Sequence, residues 1–325
     1  MLIADPHVLK DGNTYYLYGT SDMNGFKVWS STDLVNWRYR GVAFQPTATS
    51  WGKNRFWAPE VIKKGTLYYM FYSAAGSPGD IMRICVAVSA LPTGPFVDLK
   101  APLFNDGQAW IDAHVFTDSD GTSYLFCSQD MSYPPDNKSE IYVAPLNDSL
   151  SGLAGPLTLC ITPSASWEIA GDGFRWNEAP VVVRHGGGYY LLYSGNLYAS
   201  ADYSVGYATA TSPLGPWTKY SGNPILKKKP GVSGPGHCSV VPSPDGSELW
   251  MVYHSHRQLT GGGARQLAVD RIQFTPSGSG PPILSVPEGP STTLISAPSG
   301  APPFPVGGSD DFSGTSLDRT RWLVF

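Results

Sequence analysis

Charge is scarce in this chain: only 15% of its 325 residues are Asp, Glu, Lys or Arg, and the formal net charge is −4. Nucleic-acid binding, which shows as clustered Lys and Arg, is thereby excluded as a working function. The basic run Lys227-Lys228-Lys229 reads as a solvated loop. Cysteine is also rare, with four widely spaced residues (Cys85, Cys127, Cys160, Cys238) and no Cys-x-x-Cys pair, so neither a zinc cluster nor a redox motif is expected. Cys85 and Cys127 sit in apolar, strand-like runs and read as buried free thiols. No apolar stretch approaches the length of a membrane-spanning helix, and with Asp5 four residues after Met1 no signal peptide is expected in this stretch. Convincing amphipathic patterns at the 3.6-residue period are absent, which removes most α/β folds. Gly (36), Pro (29), Tyr (18) and Trp (10) are plentiful instead, a composition suited to many short strands joined by tight turns.

Those strands recur. Asp5-Pro-His-Val-Leu, Ala58-Pro-Glu-Val-Ile, Asp112-Ala-His-Val-Phe, Glu178-Ala-Pro-Val-Val and His237-Cys-Ser-Val-Val share one register, with leading positions 53, 54, 66 and 59 residues apart. Each is followed by a glycine turn and an aromatic strand, such as Gly65-Thr-Leu-Tyr-Tyr-Met-Phe-Tyr or Gly188-Tyr-Tyr-Leu-Leu-Tyr, which reads as its hairpin partner. A period of this size predicts an all-β, five-bladed β-propeller over residues 1–300. From Ile283 to Gly308 the composition turns to Pro, Gly, Ser and Thr. Residues 301–325 are then expected to be a linker and the start of a β-sandwich-like domain cut short at Phe325.

Innermost strands of a propeller converge on the axis, so the leading residues Asp5, Asp112, Glu178 and His237 should meet there. Carboxyls packed into one partly dry space push at least one pKa upward. Glycosidic bond cleavage needs that split, with one carboxyl protonated to assist the leaving oxygen and one ionised to activate water.

The ordered motifs Ala4-Asp5-Pro, Trp57-Ala-Pro-Glu, Trp110-Ile-Asp112, Trp176-Asn-Glu178-Ala-Pro and Gly234-Pro-Gly-His237 resemble glycoside hydrolase family 43, the arabinofuranosidase, β-xylosidase and arabinanase group. The resemblance runs from Ala4 to roughly Phe274. It implies an inverting, exo-acting hydrolase in which Asp5 is the general base, Glu178 the general acid, and Asp112 the carboxylate that orients the acid and raises its pKa. Inversion would set the Asp5 and Glu178 carboxyls about 6.5–9.5 Å apart, leaving room for water. His237 resembles an axial histidine that in many members contacts calcium. No cofactor is required for the chemistry, and an ion with one imidazole ligand plus waters would be a hard structural cation such as Ca2+. His7, His114 and Glu60 read as structural groups of the channel.

Sugar C–H faces are apolar, so aromatics at the mouth are natural platforms. Trp57 stands first, while Trp110 and Trp176 divide between platform and core. Phe56 and Tyr198 are placed on rim loops as subsite contacts, and Arg265, after Gly261-Gly-Gly, is placed within reach of the substrate or the acid. The expected activity is release of terminal pentosyl units from plant cell-wall arabinoxylan or arabinan by a secreted monomer. α-L-Arabinofuranosidase is preferred over β-D-xylosidase. A retaining fructosidase-type propeller lacks its Arg-Asp-Pro motif here. A non-catalytic carbohydrate-binding propeller is the rival from another class, and it should have lost one of the three acids.

Overall fold

Along each aromatic strand, alternate residues serve two different interfaces, and that alternation assembles the molecule. In Gly188–Gly195, Tyr190 and Leu192 pack towards Met251, Tyr253 and Ile272, while Tyr189, Leu191 and Tyr193 pack towards Phe126, Ile141 and Val143. A strand buried on both faces reads as a continuous apolar run, as this one does.

The computed structural model describes residues 1–20, 24–130, 137–293 and 295–302, and these form an all-β fold. The first antiparallel meander is β1 (Ala4–Asp11), β2 (Thr14–Thr20), β3 (Phe26–Ser31) and β4 (Arg38–Phe44). The second is β5 (Asn54–Lys64), β6 (Leu67–Ala75), β7 (Arg83–Ser89) and β8 (Val97–Lys100). Then come β9 (Trp110–Thr117), β10 (Ser123–Gln129), β11 (Lys138–Pro145) and β12 (Thr158–Ile161), followed by β13 (Arg175–His185), β14 (Gly188–Gly195), β15 (Ser204–Ala210) and β16 (Thr218–Lys219). Two parallel pairs between β11 and β13, at Lys138↔Arg175 and Ser139↔Trp176, fuse these runs into one eight-stranded sheet. The last sheet is β17 (Ser233–Pro242), β18 (Leu249–His256), β19 (Arg265–Thr275) and β20 (Ile283–Ser285).

The leading strands close on one another: β1 packs on β5 and β17, β5 on β9, β9 on β13, and β13 on β17. Five apolar clusters lie between successive meanders, and the last joins Val241, Trp250 and Val252 to Val8, Tyr15 and Leu17. Met1–Ile3 run beside the start of β19, where the Ile3 N–H donates to the Arg265 carbonyl at 3.0 Å. All four cysteines are buried free thiols. Among the described residues no helix is long and apolar enough to cross a membrane. The expected second domain falls largely on residues 303–325, outside the described residues.

Every leading strand carries a β-bulge at one register. Asp5, Ala58, Asp112, Ala179 and His237 all adopt a left-handed backbone, with φ between 44° and 54°, which a non-glycine residue adopts only at an energetic cost. The residues just before them, Ala4, Trp57, Ile111, Glu178 and Gly236, pair with Thr20, Ser73, Ser128, Ser194 and His254 on the second strands. This corrects the repeat alignment at one place. Glu178 is not equivalent to Asp5, Asp112 and His237; Ala179 is, and Glu178 matches Trp57 and Ile111.

A bulge frees a backbone N–H from the ladder, and the preceding meander takes it up. The Ala58 N–H donates to Thr20 Oγ1 (2.8 Å), Asp112 N–H to Ser73 Oγ (3.1 Å), His237 N–H to Ser194 Oγ (2.8 Å) and Asp5 N–H to His254 Nδ1 (3.2 Å). At the remaining junction Ser128 should receive the Ala179 N–H, but Asp112 Oδ2 does so at 3.0 Å. The buried Ser128 hydroxyl has no partner among the described residues. Ser73→Ala should therefore lose about 1–3 kcal/mol in urea unfolding, because a buried N–H is orphaned, whereas Ser128→Ala at the same register should lose none.

Candidate active site

The left-handed residue interrupts the alternation of the strand, so two successive side chains reach the same cavity. Ile111 and Asp112 both line a pocket of about 360 Å³, together with Trp57 and Glu178, Asp5 and His237. Trp176, Tyr198, Arg55, Arg265 and Asp130 complete the wall. The volume suits a monosaccharide unit and sits in the usual range for small-ligand sites.

Asp5 is buried, and its Oδ1 lies 2.7 Å from Arg265 Nη1 and 3.3 Å from His237 Nδ1. Burial works to raise its pKa, but the Arg265 guanidinium, helped by His237, outweighs it and holds the carboxyl well below the usual carboxylate range. Glu178 is equally buried and has no cation in contact among the described residues. Burial is the main cause that pushes its pKa up to about 8; the Tyr203 hydroxyl, donating to Oε1 at 2.7 Å, opposes the shift, and the Asp5 and Asp130 charges add to it. Asp112 is raised to about 7, again chiefly by burial, with His237 opposing and Glu178 and Asp5 contributing. At neutral pH the pocket thus holds an ionised Asp5 opposite a protonated Glu178. Three carboxyls so close titrate as a coupled set.

Arg184, a conceivable structural partner for Glu178, instead faces Asp118 at 3.3 Å. Trp57 is in the pocket as expected, with the Arg55 guanidinium 5.9 Å from its ring centre. Tyr198 is half exposed on the rim and lies under the Arg265 guanidinium at 5.0 Å. Arg265 reaches the pocket, but its partner is Asp5 and not the acid. Phe56 is a correction: it is 1% exposed and packs among Phe26, Phe44 and Tyr72, because its side chain leaves β5 on the face opposite the pocket. Of the two undecided tryptophans, Trp176 lines the pocket and Trp110 is core.

Beneath the pocket the axial channel narrows to a cavity of about 20 Å³ lined by Asp5, Asp112 and His237 above and His7, Glu60 and Ser239 below. Glu60 receives the Val115 N–H at 2.7 Å and the His114 Nδ1–H at 2.8 Å, while His114 Nε2 accepts the Val182 N–H, so this cluster knits three meanders together. The space is that of about one water. Ca2+ requires six to eight oxygen ligands, and no grouping of three or more acidic, His or Cys side chains suited to a metal occurs among the described residues. A Ca2+ at His237 would therefore draw its oxygens from waters, and the chemistry below routes no step through it.

Asp130, Tyr203, His254 and Arg55 escaped sequence reading. His254 had a signal, since it stands at the register of Thr20, Ser73, Ser128 and Ser194. Tyr203 and Asp130 lie just outside strands and carry no repeat signature.

A neutral acid and an ionised carboxylate facing one sugar-sized pocket are what hydrolysis of a glycosidic bond requires, and the class is glycoside hydrolase. The chain belongs to glycosyl hydrolases family 43, whose family model matches residues 1–279. A solved thermostable family-43 glycoside hydrolase is 48% identical, with a TM-score of 0.85 over 91% of this chain and 96% of that one. The β-D-galactofuranosidase xynD of Aspergillus niger is 29% identical over 86% of this chain and 82% of its own length. An extracellular exo-α-(1→5)-L-arabinofuranosidase of Streptomyces avermitilis is also 29% identical, over 79% of this chain and 56% of its own.

The raised pKa of Glu178 makes its ionisation favour unfolding. The penalty is absent below the ordinary value of 4.5 and complete above about 8. Glu178→Gln should therefore gain stability over the native protein as pH rises through that window, by up to about 5 kcal/mol at pH 9. Thermal melts at pH 5 and pH 9 measure it: an equal difference at both values contradicts the raised pKa.

Proposed function

We propose that this chain is an inverting exo-hydrolase on a five-bladed β-propeller, secreted and monomeric, that releases terminal pentosyl units from plant cell-wall arabinoxylan or arabinan. The observation that carries the reading is the opposite protonation of Asp5 and Glu178 in one pocket. Asp5, kept ionised by Arg265, takes a proton from water as its oxygen attacks the anomeric carbon. Glu178 gives its proton to the departing glycosidic oxygen. Asp112 supports the acid through the Ala179 N–H, and its own buried carboxyl disfavours a second negative charge nearby. The two carboxyls have separate partners, Arg265 for Asp5 and Tyr203 for Glu178.

An α-L-arabinofuranoside is the preferred substrate. The Streptomyces relative is named for arabinofuranose and the Aspergillus relative for galactofuranose, both five-membered rings. β-D-Xylosidase is the second reading, favoured by a xylosidase/arabinosidase of Bacteroides ovatus that is 26% identical over 85% of this chain and 93% of its own. Trp57, Trp176 and Tyr198 offer ring-sized apolar faces for the sugar, and Asp130 and Arg265 offer polar partners for its hydroxyls.

Asp5→Asn and Glu178→Gln should each lower kcat on arabino- or xylo-oligosaccharides by about 10²–10⁴-fold. Near-native turnover by either variant contradicts the assignment. Assays of the paired nitrophenyl α-L-arabinofuranoside and β-D-xyloside decide between the two sugars, and proton NMR of the first-formed anomer tests inversion. The active form has Asp5 ionised and Glu178 protonated, so kcat/KM should hold from mildly acidic pH to about 7 and fall as Glu178 ionises near 8. A profile that already falls above pH 5 would contradict a raised acid.

A further inference from the structure

Tyr203 is wholly buried just ahead of β15, and its hydroxyl joins a run of hydrogen bonds that reaches the acid. The His237 peptide N–H can only donate, and it does so to Ser194 Oγ at 2.8 Å. The Ser194 hydroxyl bonds the Tyr203 oxygen, and Tyr203 Oη lies 2.7 Å from Glu178 Oε1. Towards Glu178 the Tyr203 hydroxyl is the donor. Tyr203 has one proton, and it goes to Glu178 Oε1. A neutral Glu178 facing an O–H donor at Oε1 must carry its own proton on Oε2, the oxygen not tied to the core.

The tyrosine is held rigidly for this. Its ring stacks on His254 with centroids 5.7 Å apart and planes 8° from parallel, and His254 Nδ1 receives the Asp5 N–H. Gly236 leaves the necessary room, because a Cβ there would come 2.2 Å from Tyr203 Cε1. One stack thus ties the acid's side chain to the main chain of the base. When Glu178 loses its proton, the Tyr203 bond becomes charge-assisted and about twice as strong.

We propose that Tyr203 is a positioning residue for the acid: it confines the transferable proton to Glu178 Oε2 and stabilises the carboxylate left behind when that proton moves to the leaving oxygen. The bookkeeping is that of the hydrolysis itself, with the C–O bond to the leaving group breaking as Oε2–H becomes the new O–H, and water supplying the new C–O bond and its proton to Asp5. The inference rests on Glu178 being the acid.

Tyr203→Phe tests it on aryl glycosides of the pentose that the native enzyme turns over. A dinitrophenolate leaves without protonation, whereas a methoxyphenolate, like a sugar, needs the acid. The expected result is a kcat lowered about 10–100-fold on the methoxyphenyl glycoside and changed less than about twofold on the dinitrophenyl one. The alkaline limb of kcat/KM should also move to higher pH, because the bond favouring the Glu178 anion is gone. Retained activity on the dinitrophenyl glycoside shows that the variant is folded. Equal loss on both glycosides, loss on neither, or an unmoved limb overturns the proposal. Glu178→Gln in the same series separates the two levels: full activity of that variant on the methoxyphenyl glycoside removes the acid assignment itself, while a normal acid with an unsplit Tyr203→Phe removes only the role of Tyr203.

Discussion

The structure depends on one backbone constraint: at the same place in each inner strand, a non-glycine residue is held in the left-handed region. Asp5, Ala58, Asp112, Ala179 and His237 bear this strain, and each frees an N–H that another strand must accept. Thr20, Ser73, Ser194 and His254 do so across meander boundaries, so the bulge and the inter-sheet junction are one interaction seen from two sides. Because the bulge suspends alternation, adjacent residues such as Ile111 and Asp112 both face the pocket. A regular strand would send one of each pair into an apolar interface.

Chemistry enters where the repetition is broken. At one junction a carboxylate, Asp112, replaces the serine acceptor and ties itself to the peptide that follows Glu178. At another, the imidazole of His254 replaces a hydroxyl and supports both the Asp5 main chain and the Tyr203 ring. Burial acts on all three acids alike and raises each. Among the described residues only Asp5 of the three has a guanidinium in contact, and that charge, with His237 beside it, sends its pKa down while those of Glu178 and Asp112 go up.

Much of this was legible in the sequence. Glycine turns and paired aromatic strands defined the all-β ring, and the spacing of Asp5, Asp112 and Glu178 brought the three acids together. The alignment at the fourth strand was one residue out, because it followed the ionisable residue of Glu178-Ala-Pro and not the Ala-Pro step shared with Ala58-Pro59, which marks the bulge. Phe56 illustrates the same blindness, since only the bulge decides which of Phe56 and Trp57 faces the cavity. Tyr203 and Asp130 were invisible because their roles come from loops brought near Glu178 by the closed ring, not from any pattern of their own. The narrowness of the channel beside His237 could not be read from residue types either.

The central claim is that one pocket keeps Asp5 ionised and Glu178 protonated at the same pH. Carboxyl-carbon NMR of protein labelled at Asp and Glu, with Asp5→Asn and Glu178→Gln to assign the two signals, measures it directly. The account predicts that the Glu178 signal titrates near pH 8 and that Asp5 stays ionised throughout the pH range in which the protein is folded. Two ordinary carboxyls, both titrating near pH 4, would contradict it.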